Sequence, residues 1–331
     1  MKPQLLDIRR LRVELAPRER RGERRTVIHD VSLSVAPGES VGLVGESGSG
    51  KSMTAKAVMG LLPRGAVATG EILYRNRAVL EMKGAELAGF RARGVSMIYQ
   101  DPRAHINPLR TVGDFLVEGV VASGAMRRPE ALEAACALLR DVGVTDPRRR
   151  VAQYPHQLSG GLLQRVMIVM ALLPSPELIL ADEPTTALDV TVQSDVMAIL
   201  SEQIRERSLG MLFITHDLDL AAAVTDSLAV MYAGVIVEHG PAADVYAAPR
   251  HPYTAALLAS RPSPTSVERP VSIPGRPISA FEAGEGCVFA ARCSHATGLC
   301  RTERPDPRPV ATGTVACHYA EELEPAEGVR S

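Results

Sequence analysis

A chain of 331 residues, 46% hydrophobic and 23% charged, has room for two domains, or for one domain with an appendage, around a sizeable core. That composition excludes wholesale disorder. A formal net charge of −1 excludes the strong basic excess of a dedicated nucleic-acid binder. The longest apolar run, Val166 to Leu173, has eight residues, far short of the roughly 18 needed to span a bilayer. Leu5 and Leu6 are followed at once by Asp7, Arg9 and Arg10, which is not the pattern of a secretory leader, so the expectation is a cytoplasmic protein. With no Trp and 4% aromatics, a ligand that needs ring stacking finds few partners.

In chain order, the sequence predicts a first strand at Leu5–Val13, an exposed basic hairpin tip at Arg18–Arg25 and a second strand at Val27–Val35. Pro37-Gly38 marks a turn. Val41–Val44 is a short apolar run bounded by glycine, as in a buried parallel strand. A helix is predicted over Met53–Leu62 and further strand over Gly70–Leu80. Ala131–Val142 and Leu163–Leu173 read as helices, Leu178–Ala181 and Met211–Thr215 as buried strands, and Val190–Arg207 between them has helical periodicity. This alternation predicts an α/β protein built on a mainly parallel sheet covered on both faces. From about His251 prolines recur at 252, 262, 264, 270, 274 and 277, and the periodicity fades. A boundary is therefore expected near residue 248, dividing residues 1–247 from a Pro-rich C-terminal extension, 248–331.

Gly45-Glu46-Ser47-Gly48-Ser49-Gly50-Lys51-Ser52 matches G-x-x-x-x-G-K-[ST], with a strand before it and a helix after it. Glycines let backbone N–H groups turn inward around a phosphate, and the helix adds its positive N-terminal end. Lys51 is suited to the β- and γ-phosphates, and the Ser52 hydroxyl to Mg²⁺. Leu178–Ala181 ends in two carboxylates: Asp182 is the natural Mg²⁺ partner and Glu183 is suited to polarising an attacking water. Leu158-Ser159-Gly160-Gly161 heads a helix. Ser159 can cap it, and the glycines expose N–H groups to an anion.

These motifs occur in one order with Gln100 in Met97–Pro102, with Asp182-Glu183-Pro184-Thr185-Thr186-Ala187-Leu188-Asp189 and with Thr215-His216-Asp217. The combination, over about residues 3–247, resembles the ATP-binding-cassette ATPase family. The resemblance implies a P-loop cassette with a mainly parallel sheet core, an antiparallel β subdomain and a helical subdomain at about residues 100–175. It implies two cassettes paired head to tail around two ATP molecules. Lys51, Glu183 and His216 would then be catalytic, with His216 holding the γ-phosphate. Ser159, Gly160 and Gly161 would serve the partner's ATP. Gln100 would sense Mg²⁺ and couple to a membrane subunit, and Asp189 would contact across the dimer. Two departures stand out: Leu162 and Leu163 where the signature usually has Gln or Met, and no aromatic residue before Tyr74 to stack on adenine.

Gln100-Asp101-Pro102 with Ile106-Asn107-Pro108, Tyr154-Pro155-His156-Gln157, and His251-Pro252-Tyr253-Thr254 with Leu257-Leu258 are similar to the oligopeptide/dipeptide and nickel importer branch. That similarity implies an ATP-hydrolysing subunit energising peptide import from the cytoplasmic face of the membrane. It would be peripheral, with a paralogous second ATPase, two transmembrane permease subunits and an extracytoplasmic solute-binding protein. Import of nickel or another solute is the alternative. A soluble cassette acting on DNA or ribosomes is disfavoured by the 106 residues between Ser52 and Ser159, too few for a long coiled-coil insert, and by the single P-loop. A degenerate cassette serving as a metal-binding regulatory module is disfavoured by the intact Lys51, Asp182, Glu183 and His216.

Cys287, Cys293, Cys300 and Cys317 fall within 31 residues, spaced C-x5-C-x6-C-x16-C, while Cys136 sits alone in a predicted helix. In a cytosolic protein such a cluster points to a metal before disulfides. Structural zinc sites favour C-x2–4-C knuckles, and these longer gaps suit a larger cluster. The branch resemblance likewise implies a [4Fe–4S] cluster, with Zn²⁺ and unliganded thiols as alternatives. His295 and His318 are candidate substitute ligands, though they read first as exposed loop residues. A short Pro-rich region buries little surface by itself, so the metal would serve as its core.

Overall fold

In the computed structural model, residues 4–17, 22–185, 189–260, 272–310 and 312–323 are described. Arg18–Arg21 of the expected basic tip, Thr186–Leu188 and the prolines at 262, 264 and 270 lie outside them. The chain opens with strands β1 (Leu6–Leu15) and β2 (Arg25–Val35), whose burial alternates along part of their length, as it does for strands with one face on a core. Strand β3 (Ser40–Val44) is buried at every position and runs into helix α1 (Lys51–Val58). Strands β4 (Val67–Tyr74) and β5 (Arg77–Ala78), helix α2 (Gly84–Arg93) and strand β6 (Val95–Ile98) follow. Five helices come next: α3 (Pro102–His105), α4 (Val112–Ala122), α5 (Arg128–Asp141), α6 (Pro147–Val151) and α7 (Gly160–Leu172). Strand β7 (Leu178–Asp182), helix α8 (Val190–Glu206), strand β8 (Gly210–Thr215) and helix α9 (Leu218–Val224) carry the chain to strands β9 (Ser227–Tyr232) and β10 (Val235–Pro241). The remainder holds helices α10 (Ala242–Ala247), α11 (Pro252–Ala259) and α12 (Gly298–Thr302), then strands β11 (Arg308–Val310) and β12 (Gly313–Val315).

The chain divides into two compact units. The first comprises Met1–Leu5, Val35–Glu39 and Glu81–Leu212. In it β6 and β7 pair in parallel, from Val95 opposite Leu178 to Ile98 opposite Ala181. All positions of both strands are buried, so their residues read as continuous apolar runs and not as an alternation. Helices α3 to α8 belong to this unit. Thr111 caps α4 through its side chain, Ser159 caps α7 and Asp189 caps α8.

The second unit comprises Leu6–Ser34, Ser40–Leu80 and Phe213–Ser331, so the residues after 248 fall with the P-loop sequence. One sheet has the order β2-β1-β4-β5, with β1 antiparallel to β4 and irregular between Arg9 and Arg12. In the other, the order β11-β12-β10-β9-β3 contains one parallel pair, β3 with β9, and antiparallel pairs elsewhere. The sheets are mixed: β3 with β9 and β6 with β7 pair in parallel, in line with the expected parallel core, while β9, β10, β12 and β11 pair antiparallel. The reason for the reversal is local: Ala233 and Gly234, both at positive φ, join β9 to β10 in a two-residue turn, which returns the chain antiparallel. Tyr232, Tyr253 and Phe289 form an aromatic core in this unit, with ring centroids 4.6–5.4 Å apart.

Candidate functional site

In the second unit the P-loop sequence wraps the N-terminus of α1, beginning where β3 ends. Gly50 caps the helix at φ 109°, a conformation closed to residues with a Cβ. At Gly45 a Cβ would stand 2.0 Å from the Met231 carbonyl oxygen of β9, so the loop and β9 approach only because no side chain intervenes. Lys51 is buried and donates from Nζ to the carbonyls of Gly45 (2.6 Å) and Glu46 (3.0 Å), folding its ammonium back over the loop. Ser49 holds a buried Oγ with no hydrogen-bond partner among the described residues, and a buried hydroxyl of this kind fits a site that receives an oxyanion. His216 lies exposed just past the end of β8, beside Asp217, which caps α9.

In the first unit Asp182 and Glu183 sit at and just beyond the end of β7. Asp182 is buried, and Glu183 has φ 46°, a left-handed conformation that costs a non-glycine residue on the order of 1 kcal/mol. Gln100 donates from Nε2 to Glu183 Oε2 at 2.9 Å, so two of the expected residues meet here across 83 positions of sequence. Ser159 and Gly160 are exposed at the start of α7, with Ser159 Oγ accepting from the Leu162 N–H at 3.4 Å. Asp189 Oδ1 accepts from the Val192 N–H at 3.0 Å at the start of α8. The oxygen donors Ser52, Gln100 and Asp182 are of the hard type that Mg²⁺ prefers.

Residues that the motifs did not predict also bear on the loop. The Glu46 N–H donates to Tyr253 Oη at 3.0 Å, and the Glu46 carboxylate pairs with Arg292. His251, noted only as part of a branch-specific stretch, is fully buried and caps α11, accepting from the Tyr253 N–H at Nδ1. Burial holds its pKa down to about 3. Nearby Glu238 accepts from the N–H groups of Arg250 and His251, while burial pushes its carboxyl up.

Cys287, Cys293, Cys300 and Cys317 line one cavity with Phe289, His295 and His318. Its volume is about 20 Å³, room for about one water. Among the described residues no three His, Cys, Asp or Glu side chains are placed to hold a metal ion, so the expected metal cluster is not supported here. Burial along this small cavity raises the Cys287 thiol to about 11 and also raises Cys293 and Cys317. Four cysteine donors are the set that an iron–sulfur cluster takes.

A strand, a phosphate-type loop and a helix in one unit, with paired carboxylates at a strand end in the other, define a nucleotide-hydrolysing cassette. Residues 28–186 match the family described as ABC transporter, and residues 237–300 match the oligopeptide/dipeptide transporter C-terminal region. The oligopeptide transport ATP-binding protein OppD of Salmonella typhimurium is 42% identical over 302 residues, covering 91% of this chain and 89% of its own. The dipeptide transport ATP-binding protein DppD of Bacillus subtilis is 42% identical over 276 residues, covering 82% of each. A dimeric ATP-binding cassette solved with ADP and phosphate, MJ0796, superposes with a TM-score of 0.63 at 26% identity, over 72% of this chain and 98% of that one. The chain belongs to the ABC transporter family and is an ATP-binding-cassette ATPase. Among the described residues no helix is long and apolar enough to cross a membrane.

Proposed function

We propose that this chain is the ATP-hydrolysing subunit that energises import of di- and oligopeptides through a multisubunit transporter. The observation that carries the cargo class is the match of residues 237–300 to the oligopeptide/dipeptide transporter C-terminal region. The names of the relatives agree with it. The chain would act at the cytoplasmic face of the membrane with a paralogous cassette, two permease subunits and an extracytoplasmic binding protein.

In this reading Gly45–Ser52 hold the ATP phosphates, and Lys51 exchanges its carbonyl partners for the β- and γ-phosphates. Ser52, Asp182 and Gln100 would hold Mg²⁺, which supplies charge neutralisation on the phosphate oxygens. Glu183 takes a proton from the attacking water, and its bond from Gln100 aims the carboxylate. His216 contacts the γ-phosphate. Ser159, Gly160 and Gly161 present the N-terminus of α7 to the partner's ATP, and Asp189 faces the partner. Exposure of Ser159, Gly160, Asp189 and His216 supports these roles.

A [4Fe–4S] cluster at Cys287, Cys293, Cys300 and Cys317 remains part of the proposal on the donor set alone, and would give the region after 248 a structural core. Iron and labile-sulfide analysis of anaerobically purified protein tests it: four irons per chain, lost in Cys293→Ser, support it, and no iron in the wild type refutes it.

The catalytic assignment is tested on the purified chain. Lys51→Ala loses ATP binding. Glu183→Gln keeps ATP binding while turnover falls by about 10²-fold or more, as for loss of a general base. Unchanged turnover in Glu183→Gln would remove Glu183 from the mechanism.

A further inference from the structure

Glu46 is the second residue of the phosphate-binding loop, and both its backbone and its carboxylate are held by residues more than 200 positions downstream. Its N–H donates to Tyr253 Oη. Its carboxylate accepts two bonds from one guanidinium, Arg292 Nη1 to Oε2 at 2.7 Å and Nη2 to Oε1 at 3.3 Å. The Arg292 side chain is only 4% exposed, so its charge is committed to these partners. Two more of its donors are used: Nε to the Pro274 carbonyl at 2.9 Å and Nη1 to Tyr232 Oη at 3.2 Å. The guanidinium carbon lies 5.7 Å from the Tyr232 ring centroid and 5.9 Å from that of Phe289. Two successive turns, closed by Ala290 N–H to Cys287 O and Arg292 N–H to Phe289 O, fix the direction from which Arg292 reaches out.

We propose that Arg292 is a positioning residue for the nucleotide site: it fixes and neutralises the Glu46 carboxylate, and so makes ATP affinity depend on the C-terminal region. The physical case has two parts. A planar fork bound at two points to a carboxylate constrains its orientation as well as its distance, which a lysine does not do. An unneutralised carboxylate at the head of this loop would repel the triphosphate that the loop exists to hold. Arg292 acts through Glu46 and touches no reacting atom, so its removal changes binding and not the chemical step.

The experiment uses the full chain and measures ATP affinity by calorimetry and steady-state hydrolysis. The proposal rests on the chain's binding ATP, and the wild-type titration reports that separately. Arg292→Gln raises Kd and KM for ATP about tenfold and leaves kcat at saturating ATP within about twofold. Adding Glu46→Gln to that variant removes the stranded charge and recovers most of the lost affinity. Arg292→Lys keeps the charge without the fork and falls between, with a rise of about threefold; it serves as the test if Arg292→Gln does not fold. Wild-type Kd and KM in Arg292→Gln or Arg292→Lys would overturn the proposal, whatever their melting temperatures. A double variant as weak as Arg292→Gln would do so too, because the loss would then reflect damaged packing and not charge at the loop.

Discussion

At the scale of the residue, Glu183 combines a left-handed backbone with a bond from Gln100, and under the proposed mechanism both would aim its carboxylate. His251 gives a prediction of another kind. Its pKa is held near 3 by burial, against about 6.5 in an unfolded chain. On acidification below pH 6.5 the unfolded chain takes up a proton that the folded one refuses, so this residue lowers stability as pH falls from about 6.5 towards 3. The slope is up to about 1.4 kcal/mol per pH unit. Glu238, raised by its own burial, works in the opposite sense, so the comparison must isolate His251. In His251→Asn, which keeps an α11 capping acceptor, denaturant unfolding at pH 7 and pH 5 should show a smaller acid loss than the wild type. Equal losses would contradict the assignment. The P-loop and the paired acids were legible because each motif is local in sequence. The tie from Arg292 to Glu46 was not, since it joins positions 246 apart and no spacing rule encodes it.

At the scale of the element, buried strands β3, β7 and β8 announced themselves as apolar runs, and boundaries moved by only a few residues. Helix α1 begins at Lys51, two residues before the predicted start, because Gly50 provides the cap. Strands β9 to β12 were not predicted. The β9–β10 turn uses Ala233 at φ 45°, a residue that composition rules do not assign to a tight turn. The aromatic core of Tyr232, Tyr253 and Phe289 ties the region after 248 into the unit that holds the P-loop. Phe289 is almost wholly buried, so Phe289→Ala should cost about 3–5 kcal/mol, read as a lower midpoint in denaturant unfolding. A loss below about 1 kcal/mol would mean that the region packs independently of that core. The cysteines mark the limit of spacing arguments. Sequence brought four thiols to one neighbourhood, and they do line one cavity, but among the described residues no three such side chains are placed to hold a metal ion.

At the scale of the whole molecule, the family and the importer branch were legible because motif order and two separate family matches agree over most of the chain. What a single chain leaves unsaid is its assembly. If the proposed head-to-tail pairing holds, ATP should drive Glu183→Gln protein into a dimer, read by light scattering: with itself if self-pairing is productive, and only with the paralogue if it is not. No ATP-dependent association in either mixture would contradict the pairing. Whether this ATPase drives peptide import is decided by uptake of labelled di- and oligopeptides in the host, with wild type compared against a chromosomal Glu183→Gln allele. The expected result is a mutant that makes the protein at normal levels and loses peptide uptake. Normal peptide uptake in a strain cleared of other peptide importers would contradict it, and loss of nickel uptake in the same strain would identify the cargo instead.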